Sequence, residues 1–218
     1  MEKQHTLYLL GGLQWTGKSD ISREIGKAIP STKILHTDDI RDCIKEIIRF
    51  GPSQIPEGSS KNLTLNICDM EITKEVTRDD GKENDYGWLF SLETIDRCDQ
   101  QNKSDIVVEG VAVTTDLIRG LRLKNLNIKI ALLGFNDPSY AKILIDHLET
   151  TDIENHMRAA MRDSNQSPKQ FIEEAMSIMV RQSNILKQEV KDDEYFDVTK
   201  LGPFDARIKT ITDTLLRH

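Results

Sequence analysis

Cysteine, basic excess and long apolar runs are what this chain has little of, and each shortage removes a class of protein. Only three cysteines occur in 218 residues, Cys43, Cys68 and Cys98, widely spaced and with no Cys-x-x-Cys pair. That pattern points neither to a disulfide framework nor to a zinc site, and the five histidines show no metal-ligand spacing. A formal net charge of −7 argues against broad, nonspecific nucleic-acid binding. No apolar stretch approaches the ~18 residues of a membrane span, and no signal-peptide pattern opens the chain. A cytoplasmic protein without a membrane partner is the expectation. Internal repeats and low-complexity tracts are also missing, and nothing points to a homodimer. The composition that is left, 38% hydrophobic and 30% charged, suits a globular domain with a substantial core.

What is present is an alternation of apolar strands and amphipathic helices. Strand patterns occur at 6–10, 33–37, 105–110, 128–135 and 194–199. Helical spacing follows the first strand, with Ile21, Ile25, Ala28 and Ile29 ahead of Pro30, and the second, with Ile40, Ile44, Ile47 and Ile48. Further helices are predicted over 88–98, 137–148, 168–190 and 205–218. Between 51 and 87 the pattern is weaker: "FGPSQIPEGSS" reads as loop, "LTLNICDMEITKEV" as helical and "RDDGKEND" as a polar turn. Met157, Met161, Met176 and Met179 read as packing residues. Five strands alternating with helices imply an α/β fold, a parallel sheet covered on both faces.

Directly behind the first strand stands "GGLQWTGKSD" (11–20), in which Gly12, Gly17, Lys18 and Ser19 fit G-x-x-x-x-G-K-[ST]. This is the pattern of a phosphate-binding loop, or P-loop. Backbone N–H groups of such a loop cradle anionic oxygens, and the following helix N-terminus adds partial positive charge. Lys18 would reach the β- and γ-phosphates of ATP, and the Ser19 hydroxyl would ligate Mg²⁺. Thr16 and Asp20 complete the candidate nucleotide-binding set. Strand, loop and helix come in the order the motif requires.

Two further stretches end strands on the same rim, where ligands of parallel sheets collect. In "HTDDIR" (36–41), Asp38 can take the proton of a substrate hydroxyl, and Arg41, one helical turn on, suits an anionic substrate. Asp39 is expected to face away. The competing reading makes Thr37 or Asp38 a helix cap. In "IVVEG" (106–110), Glu109 is the candidate for the Mg²⁺ shell or a substrate contact, and Gly110 permits a sharp turn. Here the competing reading is simple strand termination. By contrast, "NKSD" (102–105) precedes a strand instead of following one, so it reads as a polar turn and not as a guanine-reading motif.

Taken in order, "GGLQWTGKS", "HTDDIRDCIKEI" and "IVVEGVAV" resemble the P-loop small-molecule kinases, most closely the kinase domain of the 2-phosphoglycerate kinase family. Weaker likeness extends through "HMRAAMR" (156–162) and "IMVRQSNILKQEV" (178–190), and "DDIR" is also similar to the acceptor motif of polynucleotide 5′-kinases and to zeta-toxin-like phosphotransferases. The resemblance implies a three-layer P-loop NTPase fold with sheet order 2-3-1-4-5, and ATP with Mg²⁺ as cofactors. One domain is expected over 1–218, with a lid about 150–166 and a substrate-side insertion about 51–87 that has no counterpart in the resemblance. The resemblance places Asp38 and Arg41 at the substrate and Arg158, Arg162 and Arg181 at phosphates. The lid arginines also share one helical face, four residues apart, where charge neutralisation during transfer would be useful. The expected activity is transfer of the γ-phosphate to a hydroxyl of a small metabolite, such as a phosphoglycerate-like acid. Two alternatives stay open: a regulatory P-loop ATPase, which needs no acceptor residues, and a nucleic-acid 5′-hydroxyl kinase, which needs an electropositive groove leading to Asp38.

Overall fold

The computed structural model describes residues 5–50, 54–78, 83–101, 104–124, 126–140 and 167–217. In chain order its elements are β1 (Thr6–Gly12), α1 (Lys18–Ala28), β2 (Lys33–His36), α2 (Thr37–Arg49), β3 (Ser60–Ile67), β4 (Met70–Thr77) and α3 (Glu83–Gln101). There follow β5 (Ile106–Glu109), α4 (Thr115–Arg122), β6 (Asn127–Gly134), α5 (Pro168–Glu189), β7 (Tyr195–Asp197), a 3₁₀ turn (Val198–Lys200) and α6 (Phe204–Leu216).

Side-chain alternation along β1 sets the layers. Leu7 and Leu9 enter one core, and Tyr8 and Leu10 enter another on the opposite face. The strands of β5 and β6 split the same way, which is why all three read as apolar runs: a strand covered twice has no polar face. The first core takes Ile40, Ile44 and Ile48 of α2, Phe90 and Ile95 of α3, and Leu117, Ile118 and Leu121 of α4. The second takes Ile21 and Ile25 of α1, Ile208 and Ile211 of α6, and Met176 and Met179 of α5. The two methionines are packing residues, as their spacing predicts.

The sheet is parallel, in the order β2-β5-β1-β6-β7. Counted over its own five strands in chain order this is 2-3-1-4-5, with helices on both faces, and the fold is a three-layer α/β fold of the P-loop type. β5 lies between β1 and β2, with Glu109 in register with both Leu10 and His36. The ends of the first three sheet strands are thereby brought together at a single point on the rim.

The helix expected over 88–98 begins earlier, at Glu83, inside the stretch read as a polar turn, and two larger expectations are corrected. "LTLNICDMEITKEV" is not helical; it is most of an antiparallel hairpin, β3 paired with β4 from Ser60↔Thr77 to Ile67↔Met70. Leu63, Leu65 and Ile67, then Met70, Ile72 and Val76, supply a period close to two, with every one of them packed on the first core. The two-residue turn is Cys68-Asp69, both at positive φ (52° and 64°). Such turns usually declare themselves by Asn-Gly or Asp-Gly, and this one carries neither. Lys33 Nζ holds the turn by a 2.6 Å bond to the Cys68 carbonyl, and Arg97 holds the hairpin to α3 through the Glu71 carbonyl at 2.9 Å. The second correction is α4, which the sequence reading passed over. Thr114 caps it by accepting from Leu117 N at 3.4 Å, and Leu117, Ile118 and Leu121 form its buried stripe.

Among the described residues no helix is long and apolar enough to cross a membrane. The helix expected over 137–148 runs out of the described residues after Tyr140, and the whole of 150–166, with Arg158 and Arg162, lies outside them.

Candidate functional site

The loop after β1 is shaped by backbone. Gly12 has φ +102°, and a Cβ there would stand 2.1 Å from the Leu133 carbonyl oxygen, so only glycine lets β1 and β6 approach before the chain turns. Leu13 N–H then donates to that same carbonyl at 2.9 Å. Trp15 is left-handed at φ 59°, an uncommon setting for a bulky residue. Its carbonyl is held by the Tyr140 hydroxyl at 3.1 Å, and that hydroxyl accepts from Arg207 at 2.8 Å. Tyr140 and Arg207 carry no motif and were not foreseen; only the fold brings them under the loop. Thr16 Oγ1 and Lys18 Nζ both donate to the Leu13 carbonyl, at 2.7 and 2.6 Å.

Lys18 is the buried cation of the site, 8% exposed. Burial pushes its ammonium pKa down, while Glu109 and Asp38 act in the opposite sense. Its direct bond is to a neutral carbonyl, so a bound anion would find a desolvated positive charge at close range. Ser19 Oγ donates to Glu109 Oε1 at 3.1 Å. Asp20 pairs with Arg23 at 2.8 Å along the helix and lines a groove between α1 and α6.

Glu109 ends β5 nearly fully buried, at 6% exposure. Its Oε1 takes a second bond from His36 Nδ1 at 2.5 Å, which is the main cause of a raised imidazole pKa. His36 was missed by motif reading; the only signal for it is the strand register that sets it opposite Glu109. The Thr37 hydroxyl donates to the Glu109 carbonyl at 3.1 Å. Gly110, at φ +138°, is required here: a Cβ would fall 2.0 Å from Thr37 Oγ1 and 3.3 Å from the Asp38 carboxylate.

Neither Thr37 nor Asp38 caps α2, which settles that alternative. The cap position is His36, with no side-chain bond. Asp38 instead takes Arg41 Nη1 on Oδ1 at 3.2 Å and Val111 N–H on Oδ2 at 3.4 Å. Burial raises its pKa above the ordinary aspartate value, against the pull of Arg41 first and Lys18 second. Arg41 also binds Asp42 at 2.9 Å, and its own pKa is raised, the partner carboxylates outweighing the burial that opposes them. Asp39 is exposed, and its charge still helps to raise the pKa of His36 and of Arg41.

Asp38 and Arg41 line an open cavity of about 690 Å³ between α2, α3, α4 and the residues Val111, Ala112 and Thr114. Trp88, Leu92 and Asp96 line it from α3, and Leu117, Leu121 and Lys124 from α4 and just beyond. A second cavity, about 680 Å³, lies between the loop residues Gly12 to Trp15 and α5. Arg181 is exposed on α5 and lines neither.

No group of three or more His, Cys, Asp or Glu among the described residues is arranged to hold a metal by itself. Ser19 and Glu109 nonetheless offer a hydroxyl and a carboxylate side by side. That set fits Mg²⁺, which takes one or two protein oxygens and leaves its other positions to water and phosphate.

No protein-family model matches the chain, and no curated protein sequence matches it. Among solved structures, the chain is similar to a protein of Chloroflexus aurantiacus J-10-fl that is described only provisionally as a kinase. The identity is 10%, the match covers 68% of each chain and the TM-score is 0.40. A likeness of that size says nothing about activity.

Proposed function

We propose that this protein is a phosphotransferase that moves the γ-phosphate of Mg-ATP to a hydroxyl of a small molecule. The observation that carries the reading is the position of Asp38. Its carboxylate lines the 690 Å³ cavity and lies close enough to Lys18, on the phosphate loop, for each to act on the other's pKa. A hydroxyl bound in that cavity can reach the Asp38 carboxylate, and the Lys18 ammonium acts electrostatically on that same group.

The roles then follow from the chemistry of the groups. Lys18 and the loop hold the β- and γ-phosphates and stabilise the charge of the transferring group. Ser19 and Glu109 would hold Mg²⁺, which when bound supplies further charge neutralisation on the phosphates. Asp38 accepts the proton of the acceptor hydroxyl as the new O–P bond forms and the bond to the ADP oxygen breaks. Arg41 fixes the Asp38 carboxylate, and Thr16, Gly12 and Gly17 set the loop. Arg158, Arg162 and Arg181 are assigned to phosphates on resemblance alone.

A regulatory ATPase would use the phosphate loop equally well but has no need for a carboxylate facing a separate cavity. A nucleic-acid 5′-hydroxyl kinase needs a cationic path to Asp38. The described cavity residues instead carry Asp38, Asp96 and Asp116 against Arg41 and Lys124. The test is ADP release from Mg-ATP with and without small-molecule alcohols. A phosphotransferase shows stimulation with label recovered on the alcohol; turnover indifferent to every alcohol but altered by a protein partner favours the regulatory reading.

A further inference from the structure

The cavity beside Asp38 restricts what can be phosphorylated, and the restriction runs against a small polyanion. We propose, building on the phosphotransferase reading, that the acceptor is a neutral alcohol carrying a flat unsaturated ring, with the ring against Trp88 and the hydroxyl at Asp38.

Charge is the first ground. Three carboxylates and two cations line the cavity, and the third carboxylate, Asp116, is paired at 2.8 Å with Arg119 beside it, so no lining cation is left unpaired for an anion. Both cations are already engaged: Arg41 with Asp38 and Asp42 at 3.2 and 2.9 Å, and Lys124 with Asp96 in a short contact. A phosphorylated acid entering here would have to break these pairs and would leave carboxylates facing its own charge. A neutral molecule leaves every pair intact.

Size and surface are the second ground. At about 690 Å³ the space falls within the range of about 300–1,000 Å³ that encloses drug-sized ligands, and a three-carbon acid would leave most of it unfilled. Leu92, Val111, Ala112, Leu117 and Leu121 make much of the wall apolar. Trp88 is half-buried, packed against the core and also lining the cavity. Gly87 brings it there: a Cβ at 87 would stand 3.0 Å from Arg41 Cβ, so glycine lets the start of α3 close onto α2 beside the Asp38–Arg41 pair. An indole in that place offers apolar aromatic surface to a ring bound in the cavity that Asp38 also lines.

The test uses uridine and adenosine as neutral ringed alcohols, glycerol as a neutral alcohol without a ring, and 2- and 3-phosphoglycerate as small anions. Each is incubated with γ-labelled Mg-ATP, and tryptophan emission is followed with the nucleotide site filled by Mg-ADP. The chain has two tryptophans, Trp15 and Trp88, so Trp88→Leu assigns the signal. The expected result is label on a nucleoside, quenching that Trp88→Leu abolishes, and a nucleoside KM raised roughly 5- to 100-fold in that variant with ATP affinity unchanged. Trp88→Phe, which keeps a ring, should retain most of the affinity and guards against a folding failure of the leucine variant. Label on a phosphoglycerate but on no nucleoside overturns the proposal while sparing the phosphotransferase reading. So does a nucleoside KM indifferent to both substitutions. ATP hydrolysis at one rate with every probe, and no quenching by any, overturns both.

Discussion

The two halves of the candidate site are built differently. The proposed phosphate half is centred on one short stretch, with two glycines, the Leu13 and Trp15 carbonyls and the start of α1, buttressed from outside by Leu133, Tyr140 and Arg207. The proposed acceptor half draws side chains from α2, α3, α4 and the loop after β5, separated in sequence by up to 87 residues and joined by packing and by the Val111–Asp38 and Lys124–Asp96 contacts. A site that uses backbone geometry is written in residue spacing. A site that uses side chains from several elements exists only once the elements are placed. The first can be read before folding is known; the second belongs to the fold.

The contrast is open to direct attack, beginning with the phosphate half. Lys18→Met should lower the maximal transfer rate by at least about 10²–10³-fold, because it removes a buried charge matched to the moving phosphoryl group. The melting temperature should not fall. The methionine fills similar volume and relieves the burial that depresses the ammonium pKa. Rapid-quench transfer assays beside a thermal melt check both statements.

Smaller effects sharpen the acceptor half. Gly110→Ala should cost about 1–3 kcal/mol of stability, since it forces a side chain into positive φ and against Thr37. It should also disturb transfer more than ATP affinity, because what it displaces is Thr37 and Asp38, not the phosphate loop. Denaturant melts and nucleotide titration separate the two. Arg41→Ala should reduce the transfer rate roughly tenfold, the worth of one charge-assisted bond of about 1.5 kcal/mol. Its pH signature has a fixed sign. A base must be ionised, so activity falls as pH drops through the pKa of Asp38, which burial already raises. Arg41 is the strongest influence holding that pKa down. Its loss moves the acid limb of the rate profile to higher pH, and a limb that stays in place or moves down would remove Arg41 from this role.

How much could be read from the chain follows the same division. Gly12, Gly17, Lys18 and Ser19 were found by spacing, and the apolar runs of β1, β5 and β6 gave the parallel sheet because doubly covered strands cannot alternate. Asp38 and Glu109 were legible as acids ending strands on the ligand rim. His36 was not, since its importance comes from pairing with Glu109 across two strands. Trp88 and Lys124 were not, since nothing local distinguishes them from a core tryptophan and a surface lysine. The hairpin was misread because its positive-φ turn is Cys68-Asp69, without the glycine that marks such turns. The α4 helix was overlooked although Thr114 and the stripe Leu117, Ile118 and Leu121 spell a capped amphipathic turn.

The central claim, that Asp38 is the base joining a phosphate loop to an acceptor cavity, is tested most directly by comparing Asp38→Asn with Asp39→Asn. Nucleotide affinity and label transfer from γ-labelled ATP to uridine are measured on both. Asp38→Asn should bind Mg-ATP as the wild type does and transfer roughly 10²–10⁴-fold more slowly, the usual contribution of a positioned general base. Asp39→Asn, altered on the exposed side of the same helical turn, should match the wild type in both. Equal transfer rates in the two variants and the wild type would contradict the account.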